Sequence, residues 1–420
     1  MYVTLRDRPG ADEPSGTGKV VRRVSSTVVL LGVVSLLTDI SSESINSVLP
    51  LYLTAVVGLS PVAYGFLDGM YQGVSALVRL AGGYAADRGG HPKWVAVLGY
   101  GASAVSRIAM LPATGFAAIT GVITADRLGK GLRTAPRDSL IAASSDPRLL
   151  GRSFGVHRML DTVGAAIGPL VAFALLAAVP GSYDSIFVVS FAVATVGVVV
   201  LLLFVPDLKT TASAARVGLR MVLREVSGRR LRGPLIAATV LGLVTVGDGF
   251  LYLALQERDD FAATYFPLLY VGTNLAYLTL AIPLGRLADR VGRGKVLLAG
   301  HGALLACYVL AALPAGGIGL TLGTLALLGV FYAATDGVLP ALISRLVSDD
   351  ARGSGIAAAQ TVQAVARFAS SVCFGVLWSV QGPARSLVLF TVLLAAMVPV
   401  AAWLLRGIDR SQIDGAKAAA

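Results

Sequence analysis

Charge is scarce in this chain. Asp, Glu, Lys and Arg make up 14% of its 420 residues, where an ordinary soluble domain carries about 25%. That shortage excludes a soluble enzyme, and a hydrophobic content of 55% excludes a disordered scaffold. Cysteine is nearly absent. Cys307 and Cys373 sit inside apolar blocks, so there is no disulfide framework and no CxxC metal spacing, and both read as packing thiols. There is no HExxH motif and no EF-hand loop, and Gly129-Lys130 lacks the Gly-x(4)-Gly-Lys-Ser/Thr spacing of a phosphate-binding loop. No Ser–His–Asp set stands out either. Neither an enzyme nor a cofactor is expected. The 48 glycines follow no Gly-X-Y period, which excludes collagen and matches the glycine enrichment of packed membrane helices. No cleavable signal peptide is evident; the first apolar block begins near Ser25, after a polar leader (1–24), and reads as an uncleaved span.

What the chain has is long apolar runs, each near the roughly 20 residues that a bilayer-crossing helix needs. Twelve candidate spans cover 25–53, 61–86, 93–112, 115–141, 152–179 and 185–205, then 233–256, 261–286, 295–313, 317–344, 354–380 and 385–406. Only helices and closed barrels satisfy their backbone in lipid, and these blocks are too long and too continuously apolar for barrel strands. The expectation is an all-α membrane protein. Its parts are a leader (1–24), six spans (25–205), a linker (206–232), six more spans (233–406) and a tail (407–420).

Thirty-five Lys and Arg against 24 Asp and Glu give a net charge of +11. The bases sit in short loops between apolar blocks, so the positive-inside rule explains them better than nucleic acid does. Arg6, Arg8, Lys19, Arg22 and Arg23 in the leader, then Arg88, Lys93, Arg148, Arg290, Arg293 and Lys295, mark one side; the other side offers little beyond Arg258 and Arg385. Both termini and the linker are expected in the cytoplasm of a bacterium, beneath its inner membrane. In the linker, Arg216, Arg220 and Arg224 recur every four residues, with Leu219, Val222, Leu223 and Val226 near another face, as in an interfacial helix on anionic lipid.

An internal repeat divides the chain. Gly83, Asp87, Arg88 and Gly90 follow the second span as Gly-x-x-x-Asp-Arg-x-Gly, and Gly285, Asp289, Arg290 and Gly292 follow the eighth in the same pattern, 202 residues later. Such a duplication in two six-span halves resembles the major facilitator superfamily, whose hallmark this loop is. In the first copy His91 stands where a basic residue is usual, with Lys93 close by. The resemblance implies twelve transmembrane helices in two pseudo-symmetric bundles around a cavity that opens alternately to each side. The duplicated aspartates would act as latches, Asp87 toward Arg133, Arg137 or the start of the eleventh span near Gly353, and Asp289 toward Arg152 and Ser153.

Two further motifs resemble those of the superfamily's exporters. Arg127-x-x-Lys130-Gly131 is similar to an antiporter motif that has glutamine where Lys130 stands. Gly155, Gly164, Gly168 and Pro169 fit the antiporter signature of drug–proton exchangers, with Ala172 and Phe173 replacing its final glycine pair. The stretch Ser35–Glu43, together with Asp126–Asp138, is similar to bacterial facilitators grouped with nickel-resistance exporters and magnetosome iron transporters. No histidine-rich C-terminal tail accompanies it.

Ionisable side chains inside apolar spans cost at least about 2.5 kcal/mol each at the bilayer centre and so call for a partner or a task. Asp39 and Glu43 share a face of the first span, and His157 and Asp161 repeat that spacing on the fifth. Arg127 and Lys130 lie on the fourth, Asp68 on the second. Asp248, Asp336 and Arg367 are the C-terminal counterparts, beside Tyr252, Tyr265, Tyr270 and Tyr277. Asp39, Glu43, Arg127, Lys130, His157 and Asp161 are the candidates for proton coupling or substrate contact. Arg127 is the expected counter-charge of the helix-1 carboxylates. Structural ion pairs are the plainer reading of the set. The expected partners are protons, lipid and a small-molecule substrate, or a divalent metal on Asp39, Glu43, Asp161 and His157; a non-transporting sensor is the third option. A monomer is expected.

Overall fold

The computed structural model describes residues 24–71, 73, 91–208, 228–347 and 352–406. All regular structure among them is helical. In chain order the helices are α1 (Ser26–Asn46), α2 (61–71), α3 (Pro92–Ala109), α4 (Gly115–Ala143), α5 (Leu150–Ala178) and α6 (Tyr183–Phe204). Then come α7 in two halves (Arg229–Leu243 and Asp248–Asp259), α8 (Phe266–Val291), α9 (Arg293–Ala312), α10 (Ile318–Thr335, resumed at Val338–Ser344), α11 (Arg352–Gln381) and α12 (Pro383–Leu404). Nine spans among the described residues are long and apolar enough to cross a membrane: those of α1 and of α5 to α12. Of the others, α2 is described only over 61–71 and 73. Helices α3 and α4 are more polar, but Arg107, Asp126, Arg127 and Arg133 are buried within the protein. Leu98 of α3, with Leu203, Ile318 and Val380 elsewhere, is at least 70% exposed, as lipid-facing side chains should be.

Local chemistry keeps the spans helical despite their hydroxyls. Ser25 caps α1 by accepting from the Thr27 amide, and Thr38, Ser42 and Ser44 donate back to the carbonyls of Val34, Thr38 and Ile40. Past Asn46, α1 continues as Leu49–Leu51 and a π-helical turn, Tyr52–Val56.

The contacts repeat with a shift of six helices. Helix α1 packs on α5 and α6, as α7 packs on α11 and α12; α3 packs on α4 and α6, as α9 packs on α10 and α12. The repeat in the sequence is thus a repeat in packing. The α1–α5 contact is the closest in the first half because glycines of α5 remove side chains there. A Cβ on Gly164 would strike the Leu36 carbonyl, and one on Gly168 would lie 2.7 Å from the Glu43 Cβ. Ser44 also donates to the Gly168 carbonyl at 2.8 Å. Gly164→Leu should therefore cost about 1–3 kcal/mol by overpacking, read as a lower unfolding midpoint in detergent, whereas Gly155→Leu, with open space around it, should change it little. Equal midpoints would mean that the helix contact is not tight.

The seventh span, continuous in the sequence reading, is broken at 244–247. The backbone groups freed there are met from other helices. Tyr308 of α9 accepts from the Val246 amide at 2.7 Å and donates to the Val244 carbonyl at 3.2 Å, and Ser370 of α11 donates to the Thr245 carbonyl at 2.9 Å. In lipid such a break persists only with partners of this kind.

The two halves meet at the end of the molecule that carries the 57–60, 179–182 and 313–317 connections, called here the distal end. There the backbone of α11 fills the space left by glycines of α2. A Cβ on Gly65 would strike the Ser371 carbonyl, and one on Gly69 would lie 2.8–3.0 Å from the Phe368 ring, Cα and carbonyl. Phe66 and Phe368 rings meet edge to face at 5.5 Å, Phe173 of α5 stacks on Tyr265 before α8 at 6.1 Å, and Ser371 donates to Asp68 at 2.6 Å. Helices α5 and α8 also pack across the halves, and so do Leu49–Leu51 and the second half of α7.

Candidate functional site

Among the described residues, two cavities of several hundred Å³ lie between the halves. The larger, about 390 Å³, is lined by Asp39 of α1, by Lys130, Arg133 and Arg137 of α4, by Arg158 and Asp161 of α5, and by Asn274 and Tyr277 of α8. The Arg158 side chain is 75% exposed, so this cavity communicates with the end opposite the distal contacts. The second, about 280 Å³, lies toward the distal end and is lined by Glu43 and Asn46, by Tyr64, Asp68 and Tyr71 of α2, and by Asp248 and Tyr270. Lys130 and Asn274 line both and stand between them.

The structure sorts the sequence candidates. Asp39, Lys130 and Asp161 share the larger cavity, and Glu43 faces the smaller, where Asn46 donates to it at 3.1 Å. His157 is buried against α1, its Nε2 2.9 Å from the Ser35 hydroxyl, which is itself 3.3 Å from Tyr100 Oη. Arg127 does not ion-pair with Asp39 or Glu43. It pairs with its neighbour Asp126, which Arg107 of α3 also holds at 2.6 Å, and its guanidinium lies 3.6 Å from the Tyr71 ring centre. The cations that face Asp39 are Arg133, at 4.0 Å, and Lys130, on the wall of the same cavity. Tyr270 and Tyr277 face the cavities, whereas Tyr252 is buried and donates to Thr273 at 2.8 Å.

Arg127 is thus half of a buried pair whose removal strands Asp126 with one cation. Arg127→Ala should destabilise the chain by about 3–5 kcal/mol, seen as a lower thermal midpoint in detergent. An unchanged midpoint would show that Arg107 alone satisfies Asp126.

A divalent-metal site on Asp39, Glu43, Asp161 and His157 is not assembled: no three His, Cys, Asp or Glu side chains converge as ligands among the described residues. Asp161 instead receives Arg158 at 3.2 Å.

The family model of the Major Facilitator Superfamily matches residues 31–371 and 258–419. The chain belongs to the major facilitator superfamily. It is 29% identical over 373 residues to the uncharacterized MFS-type transporter MJ1317 of Methanocaldococcus jannaschii, covering 86% of this chain and 90% of that one. Over 160 residues, 37% of this chain and 38% of the relative, it is 32% identical to the uncharacterized protein Rv2265 of Mycobacterium tuberculosis. Among solved structures its fold is similar to the nucleoside transporter NupG, with a TM-score of 0.78 at 14% identity, covering 91% of this chain and 99% of that one. It is also similar to a bacterial homolog of the human lysosomal transporter Spinster, at TM-score 0.71, 14% identity, and coverage of 91% and 97%. Membrane transport, and not catalysis, is the activity of this superfamily.

The superfamily loop is visible in its second copy. Gly292 joins α8 to α9 at φ +109°, a conformation that L side chains rarely adopt. Asp289 accepts from Arg293 at 2.8 Å, and Arg293 also donates to the Ala341 carbonyl of α10 at 2.5 Å. Asp289 thus holds the arginine that ties α9 to α10, and not Arg152 or Ser153 of α5. The first copy (Gly83, Asp87, Arg88 and Gly90), the leader, the tail and most of the linker lie outside the described residues. Beside them, His91 Nδ1 meets Asp207 at 2.9 Å and Lys93 donates to the Leu202 carbonyl at 2.9 Å.

The sequence reading missed Arg158, Asn274 and the cavity role of Arg133 and Arg137. Lys130, Arg133 and Arg137 stand at i, i+3 and i+7, the spacing of one helix face. That signal was present, and reading the two arginines as partners for Asp87 obscured it.

Proposed function

We propose that this chain is a secondary active transporter that exports a small solute in exchange for protons. The two bundles, 25–205 and 233–406, rock about the cavity, and the linker 206–232 joins them on the cytoplasmic side. The observation that carries this reading is the charged cavity between halves that touch at one end. A solute held there is exposed to the opposite end, and parting the distal contacts while closing that end would hand it across. With both termini in the cytoplasm, this is the inward-facing state. The glycine run of α5, packed directly on the α1 helix that bears Asp39 and Glu43, supports exchange, because motion of α5 is felt at both carboxylates. These two are the proposed proton carriers, and Gly285, Asp289, Arg290 and Gly292 the proposed gating loop. The finer resemblance to nickel-resistance exporters and magnetosome iron transporters keeps a divalent metal as the competing cargo. Against it stand the cavity's four basic side chains and the unassembled ligand set.

The test is flux in proteoliposomes of the purified chain, with internal pH recorded, against carboxylates, phosphate esters, uncharged solutes, organic cations and nickel. Solute movement with opposite proton movement is the expected result. Proton movement in the same direction would replace exchange by cotransport, and proton flux with nickel alone would make the metal the cargo. Orientation is checked separately: cysteines near Pro61, Gly181 and Gly316 should label from outside intact cells, and one at Ser213 should not. External labelling at Ser213 would reverse the assignment.

A further inference from the structure

We propose that the larger cavity is an anion site. Its ligand, and hence the cargo if the transport reading above holds, is a small organic anion whose carboxylate or phosphate group is held by Lys130 and Arg133.

The charges around the cavity do not cancel. Of its four cations, Arg137 is engaged by Asp138 at 2.9 Å and Arg158 by Asp161 at 3.2 Å. Lys130 and Arg133 are left facing Asp39. Arg133 approaches it only at 4.0 Å, without a hydrogen bond, and the Lys130 ammonium has neither a hydrogen bond nor an ion pair among the described residues. Arg133 is 4% exposed, yet its Nη1 is buried with no hydrogen-bond partner. A buried guanidinium donor left unmet is costly; Arg127 and Arg367 carry one too, and what sets Arg133 apart is that it also lines the cavity.

The same helix carries an ion pair away from both cavities. One turn away, Asp126 is gripped by Arg107 at 2.6 Å and by Arg127, and neither Asp126 nor Arg127 lines a cavity. Lys130 and Arg133 line the larger cavity, and no carboxylate comes within hydrogen-bond distance of either among the described residues. They stand three residues apart on one face of α4. The Tyr100 ring centre lies 4.6 Å from the Arg133 guanidinium carbon, and a guanidinium is a fork suited to a carboxylate or phosphate. Across the cavity, Asn274 and Tyr277 come from the other half of the molecule and offer an amide and a hydroxyl to the same ligand. An anion there would bridge the two halves, which is how a cargo influences their relative position. A cation would meet a wall on which four basic side chains outnumber the two carboxylates. The inside-negative potential of a bacterial membrane also drives an anion outward, the direction of export.

The experiment measures binding on the purified full-length protein in detergent, apart from transport. Thermal midpoints are recorded with succinate, glucose 6-phosphate and inorganic phosphate, each against sodium chloride of equal ionic strength, and with nickel chloride and tetraphenylphosphonium. At least one anion should raise the midpoint saturably, and which of them does so separates carboxylate from phosphate recognition. Lys130→Gln should weaken that anion by about ten-fold or more, the worth of a hydrogen bond to a charged group, while Lys130→Arg stays close to wild type. Arg133→Gln should weaken it as well. Because that side chain is packed on Tyr100 and its loss could unfold the helix contact, Lys130 at the cavity wall is the deciding position. The proposal is overturned if no anion stabilises the protein, if only nickel or tetraphenylphosphonium does, or if Lys130→Gln leaves anion binding intact. Anion binding without flux of any solute in proteoliposomes would uphold this site and sink the transport reading. Flux of a cation or uncharged solute without anion binding would do the reverse.

Discussion

With Asp39→Asn and Glu43→Gln combined, the chain should lose all uphill accumulation of its solute while downhill exchange persists. Both substitutions keep size and remove the charge together with the proton it can carry. Asp39 faces the larger cavity 4.0 Å from Arg133, and Glu43 faces the smaller with Asn46 donating to it at 3.1 Å. They are four residues apart on α1, and Lys130 of α4 lines the cavities that both face. A proton exchanged at this point meets a group exposed to one side in one state and to the other side in the next. Any pH dependence of solute binding that arises at these two carboxylates should be lost with them. Asp161 is the control on α5. It is already matched by Arg158 at 3.2 Å, so Asp161→Asn should slow transport yet leave the pH response in place. Accumulation ratios measured in proteoliposomes under an imposed pH gradient decide the matter. A double variant that still concentrates solute with a normal pH profile would move the proton site off α1, and loss of coupling in Asp161→Asn alone would move it to α5.

How much of this could be read from the chain depends on the range of the interaction. Spans are local: a run of apolar residues excludes water whatever its neighbours do, so helical character and the repeat in two halves follow from composition and from the two Gly-x-x-x-Asp-Arg-x-Gly loops. That α5 makes a close helix contact was legible too, since glycine at positions 164 and 168 permits one; that α1 is the partner was not. The break in α7 was not. It depends on Tyr308 and Ser370, 62 and 125 residues from the groups they bond, and nothing within 233–256 announces them. Pairing was the least legible of all. Arg127 looked like the partner of the α1 carboxylates because both belong to apolar spans. Its actual partner is the residue beside it, Asp126, and Arg107 completes that pair. The effect was to hide Arg133, which shares a face with Lys130 and reaches the cavity that Arg127 does not. Two charges on one helix separated by a few ångströms can thus have unrelated tasks, one closing the bundle and the other facing the solute.

Gly69→Leu should reduce the initial rate of transport more than ten-fold without unfolding either half, because it acts on the contact between halves. A Cβ at position 69 would sit 2.8 Å from the Phe368 ring, 2.9 Å from its Cα and 3.0 Å from its carbonyl. The ring can turn aside, but the backbone of α11 cannot, so the distal end closes only by displacing a helix. Overpacking of this kind costs about 1–3 kcal/mol, and when it falls on one of two conformations it shifts their ratio by roughly five- to 150-fold. The leucine's further atoms add to the wedge. The variant should therefore favour the state with the distal end open, and a cysteine at Asn274, which lines both cavities, should react faster with a membrane-impermeant reagent from the distal side than it does in the parent. Gly121→Leu serves as the reference, since nothing lies within 4 Å of a Cβ at Gly121 and the residue is exposed; its rate and its labelling should match the parent's. The two readouts guard against a trivial loss of activity, because a misfolded protein would lose transport without gaining distal reactivity. A wild-type rate in Gly69→Leu would mean that α2 and α11 do not have to close at this point during the cycle. Slow transport with unchanged labelling would mean that the distal contact limits the rate in some way other than by gating access to the cavity.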